Sequence, residues 1–126
     1  MNIERIAGNA RLSGAVLHGE LVYLSGQVPA NRQLDCAGQT EEVLARIDAL
    51  LERAGSDRAR LLSVQIWLKD IERDFAAMNA VWERWLPAEA APARATVEAR
   101  MASADVLVEI MAIATRSPKE SPCASL

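Results

Sequence analysis

A length of 126 residues fits one ordinary domain. Half the residues are apolar (51%) and a quarter charged (25%), as in a globular chain, but aromatics amount to only three Trp, one Tyr and one Phe, so the core must be aliphatic. A net charge of −3, without runs of Lys/Arg interleaved with aromatics, argues against nucleic-acid binding. One histidine (His18) and two distant cysteines (Cys36 and Cys123) supply no metal-ligand spacing, so neither metal nor cofactor is expected. No apolar run approaches the ~20 residues that span a bilayer, and no secretory leader is visible; a cytoplasmic protein with reduced thiols, away from membranes, is expected. Only Lys69 and Lys119 among 14 basic residues are lysines, which leaves few Schiff-base candidates and many arginine forks for carboxylates.

In chain order, Ala15–His18 and Leu21–Ser25 predict a strand pair closed by a tight turn at Gly19-Glu20. Pro29 stops the pairing, and Pro29–Gly38 reads as a polar loop with Cys36 as a surface thiol. Thr40–Ala54 predicts a helix, since Val43, Ile47, Leu50 and Ala54 recur on one face and Gly55 supplies a stop. Leu62–Lys69 alternates as a strand with one buried face. A second helix capped by Asp74 would turn Phe75, Met78, Trp82 and Trp85 inward and end at Pro87. Arg94–Arg100 alternates as a strand, and Val106–Ala114 is apolar on both faces except for Glu109, as in the middle of a sheet. Residues 1–116 therefore read as one domain and 117–126 as a flexible tail.

This order gives an α+β mixed sheet with both helices packed on one face. The opposite face, with Leu107, Met111 and Ile113, would be an apolar patch that calls for a closed homo-oligomer.

Two residues stand out chemically. Glu109 is a lone carboxylate in an apolar strand; it either pairs with an arginine across an interface or, desolvated, serves as an acid or base near neutral pH. Arg94 opens a strand after Pro92-Ala93, where its fork suits a small-molecule carboxylate or an interface glutamate. Ser25-Gly26 is a small pair that lets a ligand approach the backbone, and Ser25 has no histidine or lysine nearby in sequence to make it a nucleophile. His18 reads as a solvated strand-end residue, and Trp82 and Trp85, at helical spacing, as core.

The segments Leu21–Pro29 (LVYLSGQVP), Phe75–Asn79 (FAAMN), Pro92–Ala99 (PARATVEA) and Val108–Ala114 (VEIMAIA) resemble the Rid family, also called YjgF/YER057c/UK114, across nearly the whole domain. The Gln39–Leu51 helix and the Trp67/Trp82/Trp85 pattern lean toward its YoaB-like subgroup. The resemblance implies a chorismate-mutase-like fold, a homotrimer with ligand clefts between subunits, and cofactor-free hydrolysis of reactive 2-imino acids to 2-keto acids and ammonia. Arg94 would clamp the substrate carboxylate and Glu109 would handle the water, with Ser25, Gly26 and Thr96 lining the pocket. Leu12 and Thr96 stand where deaminase relatives carry a tyrosine and a cysteine. The alternative is a trimeric module of the same family that binds a small carboxylate, or another protein, without turnover. Ribonuclease activity, attributed to some relatives, suits the acidic balance and the lone histidine less well.

Overall fold

A computed structural model describes residues 2–117; Cys123 and the predicted tail beyond Ser117 lie outside the described residues. The elements are β1 (Ile3–Ile6), β2 (Ala15–His18), β3 (Leu21–Gln27), α1 (Cys36–Arg53), a 3-10 turn (Arg58–Arg60), β4 (Leu61–Leu68), α2 (Ile71–Trp85), β5 (Ala93–Glu98) and β6 (Val108–Thr115). The strands form one six-stranded sheet in the order β1-β2-β3-β6-β4-β5. All neighbours are antiparallel except β4 and β5, which run parallel because α2 carries the chain back between them.

Strand β6 organises the layers. Val108, Ile110, Ala112 and Ala114 are buried, while Glu109, Met111, Ile113 and Thr115 are half-buried on the other side. The small Ala112 and Ala114 belong to the covered side, where α1 packs on β3 and β6, and α2 packs on β4 and on α1. The fold is thus α+β with both helices on one face of a mixed sheet, as the pattern predicts. On the other face lie Tyr23, Trp67, Met111, Ile113 and Val97, with Tyr23 41% and Val97 44% exposed. Leu107, expected there, instead lies ahead of β6 and packs partly against the core.

Local signals explain the element ends. Gly19 has φ 60° in the two-residue turn that joins His18 to Leu21. Gly55 (φ 79°) closes α1: its N–H donates to Glu52 O (3.1 Å) while Ser56 N donates to Leu51 O (2.8 Å), so both orphan carbonyls are satisfied.

Several expectations need correction. Strand β1 was not predicted; Ile3-Glu4-Arg5-Ile6 is a short edge strand without clean alternation. Helix α1 starts at Cys36, not Thr40, because Asp35 caps it by accepting from Gly38 N (2.9 Å). Cys36 is therefore a core residue in the first helical turn, 3% exposed, and burial pushes its thiol up to about 11. Helix α2 likewise starts one turn before the expected cap. Asp70 accepts from Arg73 N (3.0 Å), while Asp74 lies inside the helix, buried and paired with the Arg73 guanidinium at 3.0 and 2.9 Å. Phe75 is consequently rotated outward (43% exposed), and Met78, Val81 and Trp82 fill the core.

One buried amide ties the loops to this frame. The fully buried Gln39 on α1 donates through Nε2 to Leu34 O (3.1 Å) and Asp105 O (3.0 Å) and accepts from Leu107 N (2.8 Å). Gln39→Leu would orphan three backbone groups. It is expected to cost about 3 kcal/mol in urea unfolding; a loss below about 0.5 kcal/mol would show that these groups find other partners.

Candidate functional site

Residues aligned across neighbouring strands share a sheet face. Val64 pairs with both Arg94 and Ala112, whereas Trp67 pairs with both Val97 and Glu109. Arg94 therefore lies on the helix-covered side and Glu109 on the opposite one. The structure builds two half-sites from the predicted residues, Arg94 with Thr96 and Ser25-Gly26 with Glu109, and a single chain does not bring them together.

At the first, strand β5 forms the sheet edge next to α2. Arg94 Nη1 donates to Asn79 Oδ1 (2.7 Å), and its guanidinium carbon lies 5.5 Å from the Trp82 ring centroid, within cation–π range. None of the ion pairs among the described residues involves Arg94. Burial lowers its pKa from the usual guanidinium value, opposed by the charge of Glu83, and the group stays cationic at neutral pH. Thr96, two residues on along the same face, has a buried hydroxyl with no hydrogen-bond partner among the described residues. A cation held on an aromatic ring beside an orphan hydroxyl is a donor set short of an acceptor. Sequence reasoning missed Asn79 and Trp82 as supports of Arg94, since an Asn within a helix and a Trp at core spacing carry no such signal.

The second half-site depends on a bulge. Leu24 pairs with Ala112 and Gln27 with Ile110, so Ser25 and Gly26 together face only Met111. The Glu109 carboxylate fills the space beside Gly26: a Cβ there would stand 2.1 Å from Oε2, so any larger residue must displace the carboxylate. Among the described residues Glu109 makes no hydrogen bond or ion pair, and burial pushes its pKa up. Ser25 is structural, donating N–H (2.9 Å) and hydroxyl (3.3 Å) to Gly14 O while Gln27 Nε2 donates to Ser25 Oγ (3.2 Å). A cavity of about 380 Å³ opens at this end of the sheet, with Leu12, Ser25, Gly26, Arg46 and Leu50 among its walls. His18 is exposed at the end of β2, as expected. Among the described residues no group of three or more His, Cys, Asp or Glu gathers as a metal site.

Residues 2–116 match the family model described as Endoribonuclease L-PSP. The chain is 43% identical to a RutC family protein of Haemophilus influenzae, over 91% of this chain and 99% of that one. It is also 43% identical to the RutC family protein YoaB of Escherichia coli, over 90% and 98% of the two chains. A crystal structure of a YjgF family member from Neisseria meningitidis superposes with a TM-score of 0.89 at 44% identity, covering 93% of this chain and 97% of the other. The chain belongs to the Rid (YjgF/YER057c/UK114) family.

In this Rid chain, burial works against the charged form at both half-sites, and at Glu109 it acts on a carboxyl. A carboxyl with a raised pKa holds its proton more tightly in the folded protein than in the unfolded one, so stability falls as pH rises above the ordinary carboxyl value. Glu109→Gln removes that penalty. The variant is expected to melt with wild type at about pH 4 and above it at about pH 8. A variant melting temperature equal to or below wild type at the higher pH would contradict desolvation as the cause.

Proposed function

We propose that this protein hydrolyses reactive 2-imino acids to 2-oxo acids and ammonia, without a cofactor, in clefts between the copies of a cytoplasmic homotrimer. The observation that carries this reading is Glu109: a desolvated, unpartnered carboxyl pressed against the Gly26 backbone. A carboxyl whose pKa is raised toward neutrality can both take a proton from water and return it.

Arg94 supplies the complementary half. Its free N–H groups would fork onto the substrate carboxylate while Trp82 and Asn79 hold the guanidinium, and the Thr96 hydroxyl would donate beside it. Glu109 takes a proton from the attacking water as its oxygen bonds to the imine carbon, and the C=N electron pair moves to nitrogen, which takes that proton from Glu109 to give the carbinolamine. Glu109 then takes the carbinolamine hydroxyl proton as C=O forms and the C–N bond breaks, and passes it to the departing nitrogen, which leaves as ammonia. Imine and water are thus converted to 2-oxo acid and ammonia, with no electron acceptor needed.

The geometry of the half-sites also supports the assembly. Patches on opposite faces of one sheet join unlike to unlike, head to tail, which is the mode that closes into a ring. The apolar face of Tyr23, Trp67, Met111, Ile113 and Val97 gives such a contact its area.

A second reading, binding a small carboxylate without turnover, is favoured by Leu12: it lines the cavity, 52% exposed, where deaminase relatives carry a tyrosine. Some structural relatives, from Thermotoga maritima and Entamoeba histolytica, are named for an endoribonuclease activity. Here the one histidine, His18, leaves no histidine pair for that chemistry.

The test is an assay on 2-imino acids generated in situ by an amino-acid oxidase, with apolar, polar and charged side chains in the panel. Wild type is expected to speed 2-oxo acid release. Arg94→Ala should raise KM at least about tenfold, and Glu109→Gln should lower kcat about a hundredfold or more. Gly26→Ala, which must displace the Glu109 carboxylate, should also lower kcat. No acceleration across the panel overturns the reaction, and a monomer in light scattering at micromolar concentration overturns the shared cleft.

A further inference from the structure

A second cation stands beside the Glu109 half-site, and the hydrolysis proposed above leaves it unused. The cavity at the Ser25-Gly26 bulge lies between the 7–14 loop and α1. Leu12, Val28, Ala49 and Leu50 give it apolar walls, and Arg46 is its one charged lining residue. On α1, Val43, Ile47 and Leu50 turn into the core, so Arg46 and Ala49, three apart, sit together on the flank facing the cavity.

Among the described residues Arg46 has no partner of its own. None of the ion pairs among the described residues includes it. The carboxylate one helical turn earlier, Glu42, is engaged elsewhere: its Oε1 accepts from the amides of Ala30 and Asn31, both at 2.9 Å. The natural i, i+4 pairing is thereby diverted to anchor a loop, and the guanidinium is left to the cavity. The neutral groups around it are largely committed. Asn9 Oδ1 accepts from the amides of Arg11 (2.8 Å) and Leu12 (3.1 Å), and Gln27 Nε2 is bound to Ser25. Arg46 is thus the one charged side chain of a cavity whose walls mix the apolar Leu12, Val28, Ala49 and Leu50 with polar groups already committed, which leaves it as the contact for an anion.

We infer that Arg46 selects ligands carrying a second anionic group: the cavity takes a 2-imino or 2-oxo dicarboxylate. The 2-position lies at Gly26 and Glu109, the adjoining carboxylate goes to Arg94 of a neighbouring copy, and the short aliphatic chain runs along Leu12 and Leu50 to place its distal carboxylate on Arg46. This inference rests on the two-half-site reading above. A volume of about 380 Å³ is at the small end of ligand pockets, which suits an acid of five or six carbons rather than a nucleotide.

The experiment is calorimetric titration of wild type and Arg46→Gln with 2-oxoglutarate and with 2-oxohexanoate, a monocarboxylate of similar length. Gln keeps the helix propensity of this exposed position, and a melting curve verifies folding. Wild type should bind the dicarboxylate about tenfold more tightly, a gap that narrows in high salt, and Arg46→Gln should bring the two affinities within about twofold. Equal affinities in wild type, or a preference that survives Arg46→Gln, overturn the assignment. Hydrolysis of the leucine-derived imino acid is followed on the same preparations. Hydrolysis without dicarboxylate preference removes Arg46 and leaves the reaction standing; a preference lost in Arg46→Gln without hydrolysis of any imino acid keeps Arg46 and removes the reaction. Neither binding nor hydrolysis overturns both.

Discussion

The register of β4 between its two neighbours decides what a single chain can and cannot assemble. Because side chains alternate, the odd step from Val64 to Trp67 separates the Arg94 side of the sheet from the Glu109 side. A slip of one residue between β4 and β5 would carry Arg94 to the open face and Val97 under α2. The α2 crossover and the packing of Met78, Val81 and Trp82 hold that register, since only one alternation of β5 sets Arg94 against Asn79 and Trp82. The fold thus places the Arg94 guanidinium and the Glu109 carboxyl on opposite sides of one sheet.

The second constraint is the bulge at Ser25-Gly26. A regular ladder would set a side chain beside Glu109, whereas the extra residue brings a bare backbone there and lets the carboxyl lie against it. The scarcity of aromatics takes on meaning at this level. Only Trp82 among them is buried, and it also carries Arg94; Trp85 stacks near Arg58, at 4.9 Å to the ring centroid, while Tyr23 and Trp67 belong to the open face and Phe75 to solvent. Aliphatic side chains and alanines fill the core, and the rings other than Trp82 stand at its margin or on exposed surface.

Much of this was legible in the sequence where signals are local. The Gly19-Glu20 turn, the Gly55 stop and the apolar run of β6 are each encoded within a few residues, and so was the identity of Arg94 and Glu109 as the two unusual charges. Helix starts were not legible. Asp70 and Asp74 sit one turn apart, both ahead of apolar spacing, and only packing chooses Asp70. The start of α1 is hidden because Gly38 looks like a breaker; a Cβ there would come within 2.9 Å of Leu34 Cβ, so the glycine serves a close approach instead. Opposite placement of the half-sites could not be read locally, because it depends on the pairing of β4 with strands far from it in sequence, as in Val64 with Arg94 and Trp67 with Glu109. Arg46 was invisible for another reason: a solvated helix arginine looks like any other until Glu42 is seen to be engaged elsewhere.

Subunit complementation tests the central claim, that a working site needs Arg94 from one copy and Glu109 from another. Arg94→Ala and Glu109→Gln chains, each inactive alone, are unfolded together, refolded as a mixture and assayed for imine hydrolysis. In a randomly mixed ring each cleft draws its two halves independently, so about a quarter of wild-type activity should return. A mixture as inactive as its parents, with mixed assemblies verified by mass, would contradict the account.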